Sequence, residues 1–218
     1  MEIIRTKVTK ENSNSSWSEI AEAIRVGRAK EIISVGDRLT VNHSDYGMLE
    51  FDVLDFDRDT PADLELEMCH TVTLQLHDLV LPEMPFDEDN RNSWKYSSIR
   101  EWLNGPDFVC GFDPEFVSLI TPVSKVTNQK SEKEEHTEDS FFLLSKEETI
   151  TNDCYAYYKN ARNMVKFNPN SSNETDWWWL RSALRYSASG AWYVSGSGYV
   201  SYSYAYDTFR CAPACVIC

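Results

Sequence analysis

A row of tyrosines separated by small residues, at positions 199–206, limits most strongly how this chain can fold. The order there is Tyr-Val-Ser-Tyr-Ser-Tyr-Ala-Tyr. Alternate side chains of a β-strand point to the same face, so a strand here would point Tyr202, Tyr204 and Tyr206 to one face. The small side chains of Ser201, Ser203 and Ala205 would point to the opposite face. The segment therefore predicts a strand with one aromatic face.

The tail around this row has an unusual composition. Residues 183–218 contain six Tyr and six Ser and lack Lys, Glu, Gln and Met. Tyr supplies a large contact area at a small entropy cost and Ser supplies adaptable hydrogen bonds, a mixture that antibody loops use. A core strand would carry more Val, Ile and Leu and less Ser, so we interpret the tail as a recognition surface. The alternative is a tyrosine-rich strand pair that packs in the core or pairs in a sheet.

Length, charge and cysteine usage limit the class of protein. A chain of 218 residues, 42% of them hydrophobic, can bury a core without metals or disulfides. The net charge of −14 argues against nucleic acid and anionic membranes as partners, because both attract Lys- and Arg-rich surfaces. With no apolar run near the ~20 residues of a membrane span and no secretory pattern, we expect no membrane insertion and no signal peptide. We expect the protein to be made in the cytoplasm with its six cysteines reduced. Assembly into a virus particle would leave no targeting signal in the sequence, so that location stays open.

Hydrophobic periodicity predicts an α+β protein with two helices and small antiparallel sheets. The helices are predicted over residues 16–27 and 92–105, each ending at a glycine. Strands are predicted over residues 35–41, 49–56, 70–77 and 141–144, with a short turn and strand over 116–126 and a helix start at 145–148. The Lys- and Glu-rich stretch 128–139 is predicted to be a surface loop.

Several motifs follow one another in a fixed order along the chain. They are Trp-Ser-Glu-Ile-Ala at 17–21, His-Thr-Val-Thr-Leu-Gln-Leu at 70–76, Asn-Ser-Trp at 92–94, Ile-Arg-Glu-Trp-Leu-Asn at 99–104, Phe-Phe-Leu-Leu-Ser at 141–145, Trp-Trp-Leu-Arg-Ser at 178–182, then Tyr193, Val194, Gly198, Val200 and Pro-Ala at 213–214. In this order they resemble a bacterial and phage family whose members are similar to the variable proteins of diversity-generating retroelements. The resemblance spans most of the chain. The ordered set is specific, although each motif alone is weak.

The resemblance implies a C-type lectin fold of the type shared with formylglycine-generating enzymes. It also implies that a reverse transcriptase rewrites adenines in selected codons near the C-terminus. Mutation of the adenines in an AAC or AAT codon can give Tyr, Ser, Ala, Asp, Asn, Arg, Phe or Cys, but never Lys, Glu, Gln, Met or Trp. The residue types missing from 183–218 fit this rule, and Trp192, which no such codon can give, is assigned to the scaffold.

The resemblance also implies residue roles. The scaffold positions are Trp178, Trp179, Leu180, Arg181, Gly198 and Pro213. The bulky ones would pack beneath the display loops, and Arg181 would hydrogen-bond the backbones of those loops. The ligand-contact positions are Tyr186, Ser187, Ser189, Ser195, Ser197, Tyr199, Ser201, Tyr202, Ser203, Tyr204, Tyr206 and Asp207.

The end of the chain departs from the family pattern. Arg-Cys-Ala-Pro-Ala at 210–214 lacks the basic residue expected at position 212. Either Arg210 replaces that residue or the end of the chain packs differently.

The C-terminal cysteines suggest two competing kinds of catalytic site. Cys211, Cys215 and Cys218 have the spacing that holds an iron–sulfur cluster in radical enzymes, but the surrounding apolar run at 214–218 favours buried strand positions. Formylglycine-generating enzymes use a cysteine pair and copper, and Cys211 with Cys215 could form such a pair. The sequence places no general base nearby, because every histidine lies far upstream.

Two other patterns contain the residue types of metal sites. His70 and His77 are separated by an odd number of positions, so a strand would point them to opposite faces. Carboxylates alternate in Asp-Phe-Asp-Arg-Asp at 55–59, and Ca²⁺ takes several such oxygens. The stretch lacks the glycine and final glutamate of a calcium loop, so we interpret it as a solvated turn. We expect no metal and no cofactor.

The sequence is therefore interpreted as a single C-type-lectin-like domain over residues 1–218. Residues 1–85 would form a supporting helix and strands, 86–218 the lectin core, and 183–210 a variable region within it. The predicted function is non-enzymatic binding of an unknown protein or glycan on a cell or phage surface. The alternatives are a fixed structural or assembly module of a phage or cell envelope, and a copper-dependent oxidase-like enzyme. Neither the ligand nor the oligomeric state is predicted.

Overall fold

The computed structural model describes residues 16–66, 68–128, 134–171 and 174–218. Two sequence-based expectations lie outside these ranges: the N-terminal stretch that was searched for a secretory pattern, and the middle of the predicted loop, at 129–133. No helix within the described ranges is both long enough and apolar enough to cross a membrane.

The first helix is fixed by its cap. In α1 (Trp17–Arg25) the Ser16 hydroxyl accepts a hydrogen bond from the Glu19 N–H, and the Glu19 carboxylate accepts one from the Ser16 N–H. This reciprocal capping box satisfies two backbone donors that the first turn would otherwise leave unpaired. Ile20 and Ile24, four residues apart, face the core. The predicted helix at 16–27 is confirmed.

The remaining helices and most of the strands are short, and the longest of these elements is a strand of ten residues. The other α-helices are α2 (Ser98–Leu103), α3 (Pro106–Val109), α4 (Pro114–Leu119) and α5 (Lys146–Ile150), and the 3₁₀ helices are Ala29–Glu31, Leu64–Leu66, Ala156–Lys159 and Ala161–Met164. The strands are β1 (Arg38–His43), β2 (Gly47–Phe56), β3 (Val72–Leu76), β4 (Met84–Pro85), β5 (Val123–Asn128), β6 (Glu134–Asp139), β7 (Phe141–Phe142), β8 (Phe167–Asn168), β9 (Glu174–Thr175), β10 (Trp178–Ala183), β11 (Gly190–Val194), β12 (Val200–Tyr204), β13 (Thr208–Phe209) and β14 (Ala214–Ile217). The strands pair antiparallel in small sheets, so the predicted α+β class is confirmed.

The largest sheet joins the two ends of the chain. Within the described ranges its five strands run in the order β1-β2-β3-β14-β7, and every neighbouring pair is antiparallel. The C-terminal strand β14 therefore pairs on both sides, with Cys215 opposite Leu74 of β3 and Phe141 of β7. All four of its side chains are buried, as a short continuous apolar run predicts. The N-terminal strands and the C-terminal tail thus share one sheet and one core.

The second predicted helix is shorter than its apolar pattern suggests. It begins at Ser98 and not at Asn92, because the Ser97 hydroxyl accepts a hydrogen bond from the Arg100 N–H and so caps the helix there. It ends at Leu103. The segment before the cap forms a turn, which leaves Asn92 outside the helix.

Two other predictions are corrected by the structure. The predicted loop at 128–139 is wrong over 134–139, because these residues form β6, which pairs with β5. A strand with one face in solvent tolerates many charges, and the one carboxylate of β6 that is fully buried, Asp139, bonds Trp94 and Arg100. The predicted turn at the start of 116–126 is instead the end of α4.

Candidate functional site

A small antiparallel sheet carries the tyrosine row. Within the described ranges its order is β10-β11-β12, which makes β12 an edge strand. Trp192 of β11 lies opposite Tyr202 of β12, with ring centroids 5.7 Å apart, and Tyr204 shares their face. Ser201 lies opposite Tyr193 on the other face. The predicted alternation is confirmed for Val200–Tyr204, where the strand ends.

The tyrosines of this region project into solvent. The side chains that are more than half exposed are Tyr186 (89%), Tyr199 (76%), Tyr202 (55%), Tyr204 (57%) and Tyr206 (52%). We call these five residues the tyrosine surface. Tyr206 lies in a turn beyond β12, yet its ring stacks on Tyr204 with centroids 5.5 Å apart and planes 3° apart. So much exposed aromatic area is uncommon on a protein surface.

Tyr193 behaves differently from these five. Its ring stacks on Trp177 at a centroid distance of 5.0 Å and lies 4.8 Å from Phe209, on the inward side of the sheet. It also meets Trp179 edge-on. Tyr193 therefore packs with Trp177, Trp179 and Phe209, and we call these four aromatic residues the platform.

The serines among the predicted contacts mostly close turns. The Ser187 hydroxyl accepts hydrogen bonds from the N–H groups of Ser189 and Gly190. The Ser195 hydroxyl accepts one from the Tyr199 N–H at 3.1 Å. These side chains shape the loops that carry the tyrosines, since short hydroxyl side chains readily bond neighbouring backbone.

Predicted contacts Ser203 and Asp207 also bond each other, with the Ser203 hydroxyl donating to the Asp207 carboxylate. The Asp207 N–H donates to the Tyr204 carbonyl at 3.0 Å. This pair closes the turn in which Tyr206 lies. The open contact area therefore comes chiefly from tyrosine side chains.

Asn92 holds the loop between β10 and β11. Its side-chain amide donates to the carbonyls of Ser187 and Gly190, both at 2.9 Å, and its N–H donates to the Ala188 carbonyl at 3.1 Å. The side chain is buried. The sequence places Asn92 at a predicted helix start and in the Asn-Ser-Trp motif, but it does not predict these bonds, because partners that are backbone carbonyls far along the chain leave no residue pattern to recognise.

The predicted scaffold residues are buried beneath the surface. Trp178 and Trp179 are fully buried, and their indole N–H groups donate to the carbonyls of Met164 and Met84. Leu180 is also fully buried. These contacts give the β10 end of the sheet a fixed position in the core.

Gly198 and Pro213 have local reasons for their identity. Gly198 has φ +84°, a left-handed conformation that favours glycine, and a Cβ there would lie 3.2 Å from Val165 Cγ2. Pro213 is buried, and its carbonyl accepts a hydrogen bond from the Leu76 N–H at 2.9 Å. This bond connects the segment before β14 to β3.

The role predicted for Arg181 is wrong. Its guanidinium donates to the Leu143 carbonyl at 2.9 Å and to both oxygens of Glu148 at 2.5 and 2.9 Å, and not to the display loops. A buried guanidinium requires an anion, and the first turn of α5 brings Glu148 to it. The loop between β10 and β11 is held by the Asn92 side chain instead.

Arg210 is held by several contacts near the end of the chain. Its guanidinium donates to the Leu81 carbonyl at 2.6 Å and to Asp176 at 2.9 Å, and it lies 3.4 Å from Glu83. Ala212, at the position where the resemblance implies a basic residue, is fully buried.

The C-terminal cysteines lie in an environment that suppresses thiol chemistry. Burial raises the pKa of the Cys211 thiol to about 12 and raises the pKa of Cys215 further. The thiolate is the reactive form of cysteine, so burial and the raised pKa both disfavour the reactive form of these two groups at neutral pH. Cys218 bonds Thr121, with Sγ and Oγ1 2.7 Å apart.

Alkylation of the native protein tests this environment directly. With iodoacetamide near about pH 8, we expect modification of the exposed Cys69 and Cys110 and none of Cys211 or Cys215. Mass spectrometry of the digested protein gives the modified positions, and the urea-unfolded protein, in which every cysteine should react, is the control. Rapid native labelling of Cys211 would contradict the assignment of buried, protonated thiols.

The other candidate metal residues are held by separate contacts. His77 Nδ1 lies 2.7 Å from Asp52, whereas His70 lies ahead of β3, with its Nδ1 3.1 Å from Asp57. The predicted solvated turn is wrong for Asp59, whose side chain is largely buried in an ion-pair network. Across the described ranges, no three or more His, Cys, Asp or Glu side chains are arranged to hold a metal ion.

The fold and the site define an α+β protein with an exposed aromatic surface on a small edge sheet. Residues 71–218 match a family described as a domain of unknown function, DUF6273, and the chain belongs to that family. The match begins at β3 and includes the tyrosine surface and β14. Comparison with curated proteins and with solved structures gives no match.

Proposed function

We propose that this protein is a non-enzymatic binding protein of C-type lectin fold, whose residues 183–210 form a ligand-contact region that a retroelement diversifies. The observation that carries this proposal is the tyrosine surface: five tyrosines more than half exposed on one small sheet and its loops. The ligand is a protein or glycan on a cell or phage surface. The net charge of −14 argues against nucleic acid.

Tyrosine suits this role because of its physical properties. Its side chain offers a large amphipathic area with only two rotatable bonds, so little entropy is lost when a partner immobilises it. Aromatic anchors dominate the binding energy of many interfaces. Tyr204 and Tyr206, already stacked on each other, would present one continuous aromatic face to a partner.

The division between exposed and buried positions supports diversification. The tyrosines assigned to contact lie in solvent, and substitutions there leave the core untouched. The positions assigned to the scaffold, such as Trp178 and Gly198, are buried or conformationally restricted. A protein with replaceable contacts needs this separation, because random substitution of core residues would destabilise most copies.

A fixed structural or assembly module is the second candidate, and the position of β12 favours it. As an edge strand within the described ranges, β12 can accept a strand from a partner through its backbone. Such pairing depends little on side chains, so a fixed partner would not require sequence variation. The oxidase alternative is not supported, since the cysteines that it requires are buried with raised pKa values.

Sequencing of the gene's 3′ end from its native population, together with any adjacent template repeat, separates the two candidates. We expect substitutions to concentrate at the contact codons, such as those of Tyr202 and Tyr204, wherever the template has adenine. The codons of Trp178, Trp192 and Gly198 should stay constant, and the codons for 134–139 give the background rate. An invariant tail without a template repeat would contradict diversification and leave the fixed interface.

A further inference from the structure

A cleft opens beside the tyrosine surface, between the end of β5, the first turn of α5 and the start of the loop after β10. Its volume is about 470 Å³, which lies within the usual range of small-molecule pockets, roughly 300–1,000 Å³. Its aromatic walls are Trp192 and Tyr186, and its polar lining includes Lys146, Glu147 and Thr127. The chemistry of these side chains indicates what the cleft can hold.

Lys146 supplies a cation with no anionic partner. Its ammonium lies 3.7 Å from the centroid of the Trp192 ring, an attraction between a cation and an aromatic face. Glu148, two residues along the chain, pairs with Lys125 and Arg181 instead. No ion pair of Lys146 is found among the described residues, although the protein carries a net charge of −14. The indole holds the side chain in place and leaves the charge available to a ligand in the cleft.

Thr127 supplies a second and independent indication. It lines the cleft, is 3% exposed, and its hydroxyl is buried without a hydrogen-bond partner among the described residues. A buried hydroxyl without a partner costs free energy, so a ligand group would be stabilised where it reached this covered hydroxyl at the wall of the cleft. Glu147 adds an acceptor on the same lining, with one carboxylate oxygen bonded to the Ser182 hydroxyl at 3.2 Å.

We propose that this cleft binds a sugar ring that carries a carboxylate. The carboxylate pairs with Lys146, and the ring hydroxyls bond Glu147 and Thr127. The apolar C–H face of the ring lies against the aromatic wall of Trp192 and Tyr186. Lys146 and Thr127 lie outside 183–210 and Trp192 is a scaffold position, whereas Tyr186 is one of the proposed contact positions, so the cleft shares only this named residue with the diversified set.

A polyhydroxylated ring suits the lining better than an acidic peptide. A peptide carboxylate would pair with Lys146, but a peptide N–H only donates and a peptide carbonyl only accepts, so Glu147 and Thr127 would need separate groups of the peptide. A sugar hydroxyl both donates and accepts, so one ring can meet the carboxylate and the buried hydroxyl together. A neutral sugar would leave the Lys146 ammonium without its anion.

An NMR titration with small probes tests the proposal. Methyl β-glucuronide is the acidic sugar, methyl β-glucoside is its neutral match, and N-acetylglutamate amide is the acidic peptide probe. We expect the glucuronide to shift the Trp192 indole N–H resonance, identified with a Trp192→Phe variant, with a dissociation constant in about the millimolar range. The glucoside should bind about tenfold more weakly or not at all.

Two variants complete the test. Lys146→Met keeps the aliphatic stem over the indole and removes the charge, so glucuronide affinity should fall about tenfold while the fold is retained. Tyr204→Ser changes the tyrosine surface and should leave the glucuronide titration unchanged. The cleft proposal and the proposed contact region are therefore tested separately. Equal binding of glucuronide and glucoside, tighter binding of the peptide probe, or no shift with any probe would each overturn the proposal.

Discussion

Replacement of Glu148 by glutamine is expected to destabilise the folded protein by about 3–5 kcal/mol. The carboxylate accepts hydrogen bonds from Arg181 at 2.5 and 2.9 Å and from Lys125 at 3.2 Å, and its Oε2 also accepts the Ser145 N–H at 2.8 Å. Both cationic side chains are almost completely buried. Glutamine keeps the shape of the side chain but removes the charge that balances two buried cations.

The network around Glu148 explains why the effect should be large. Lys125 also binds Asp59 at 2.5 Å and the Tyr155 hydroxyl at 3.1 Å, and its ammonium lies 3.8 Å from the centroid of the Phe142 ring. Removing one carboxylate leaves one anion, Asp59, near two cations. Breaking one side of a buried ion pair is far more costly than losing an exposed pair.

The same carboxylate makes the stability depend on pH in a defined direction. The cations Arg181 and Lys125 hold the pKa of Glu148 well below its ordinary value of 4.5, although burial alone would raise it. A depressed pKa in the folded state contributes stability above the unfolded pKa, and that contribution is lost as the pH falls. The difference between wild type and Glu148→Gln should therefore be full at neutral pH and shrink below about pH 4.5.

Urea unfolding followed by circular dichroism measures this difference, and the adjacent residue provides a matched control. Glu147→Gln makes the same chemical change at an exposed position, where we expect a change of about 0.5 kcal/mol or less. If the two variants lost the same stability, or if the loss at Glu148 did not depend on pH, the buried network would not have the role described.

Replacement of Trp179 by alanine is expected to cost about 3–5 kcal/mol, because a fully buried indole would leave a large cavity. The ring packs 4.5 Å from Phe209 and 5.8 Å from Phe86 between centroids, and its N–H donates to the Met84 carbonyl. These contacts join β10 to β4 and β13 beneath the tyrosine surface. The platform should therefore lose its order before the main sheet does.

The run of tryptophans supplies its own control. Trp177 lies two residues before Trp179 but is 43% exposed, and its main contact is the stacked ring of Tyr193. Trp177→Ala should cost about 1 kcal/mol, the scale of one aromatic pair. Denaturant midpoints and near-ultraviolet circular dichroism compare the two variants. If both variants lost a similar free energy of unfolding, the burial of Trp179 would not explain its expected effect.

Local patterns in the sequence predicted several elements correctly. The first helix follows from Ser16, Glu19 and an apolar stripe, all within a few residues of one another. The strand at Val200–Tyr204 follows from alternation alone. Such patterns succeed because caps and side-chain faces depend on neighbours in the chain.

The errors arose where a distant segment decides the local structure. Charge suggested a loop at 128–139, but β5 provides a partner strand and Arg100 neutralises the buried Asp139. Arg181 was predicted to bind loop backbones, but Glu148 competes for it from another element. No local pattern carries that information.

The sequence by itself determined the α+β class, the capped first helix and the aromatic alternation of the tail, because each depends on short-range geometry. Only the tertiary structure decided that β14 lies between β3 and β7, that Asn92 holds the display loop, and that Lys146 meets Trp192 at a cleft. These contacts join residues that are far apart in the chain. They form because distant segments of the chain bury their apolar side chains in one shared core. The spacing of residues along the sequence does not show which distant segments will pack together.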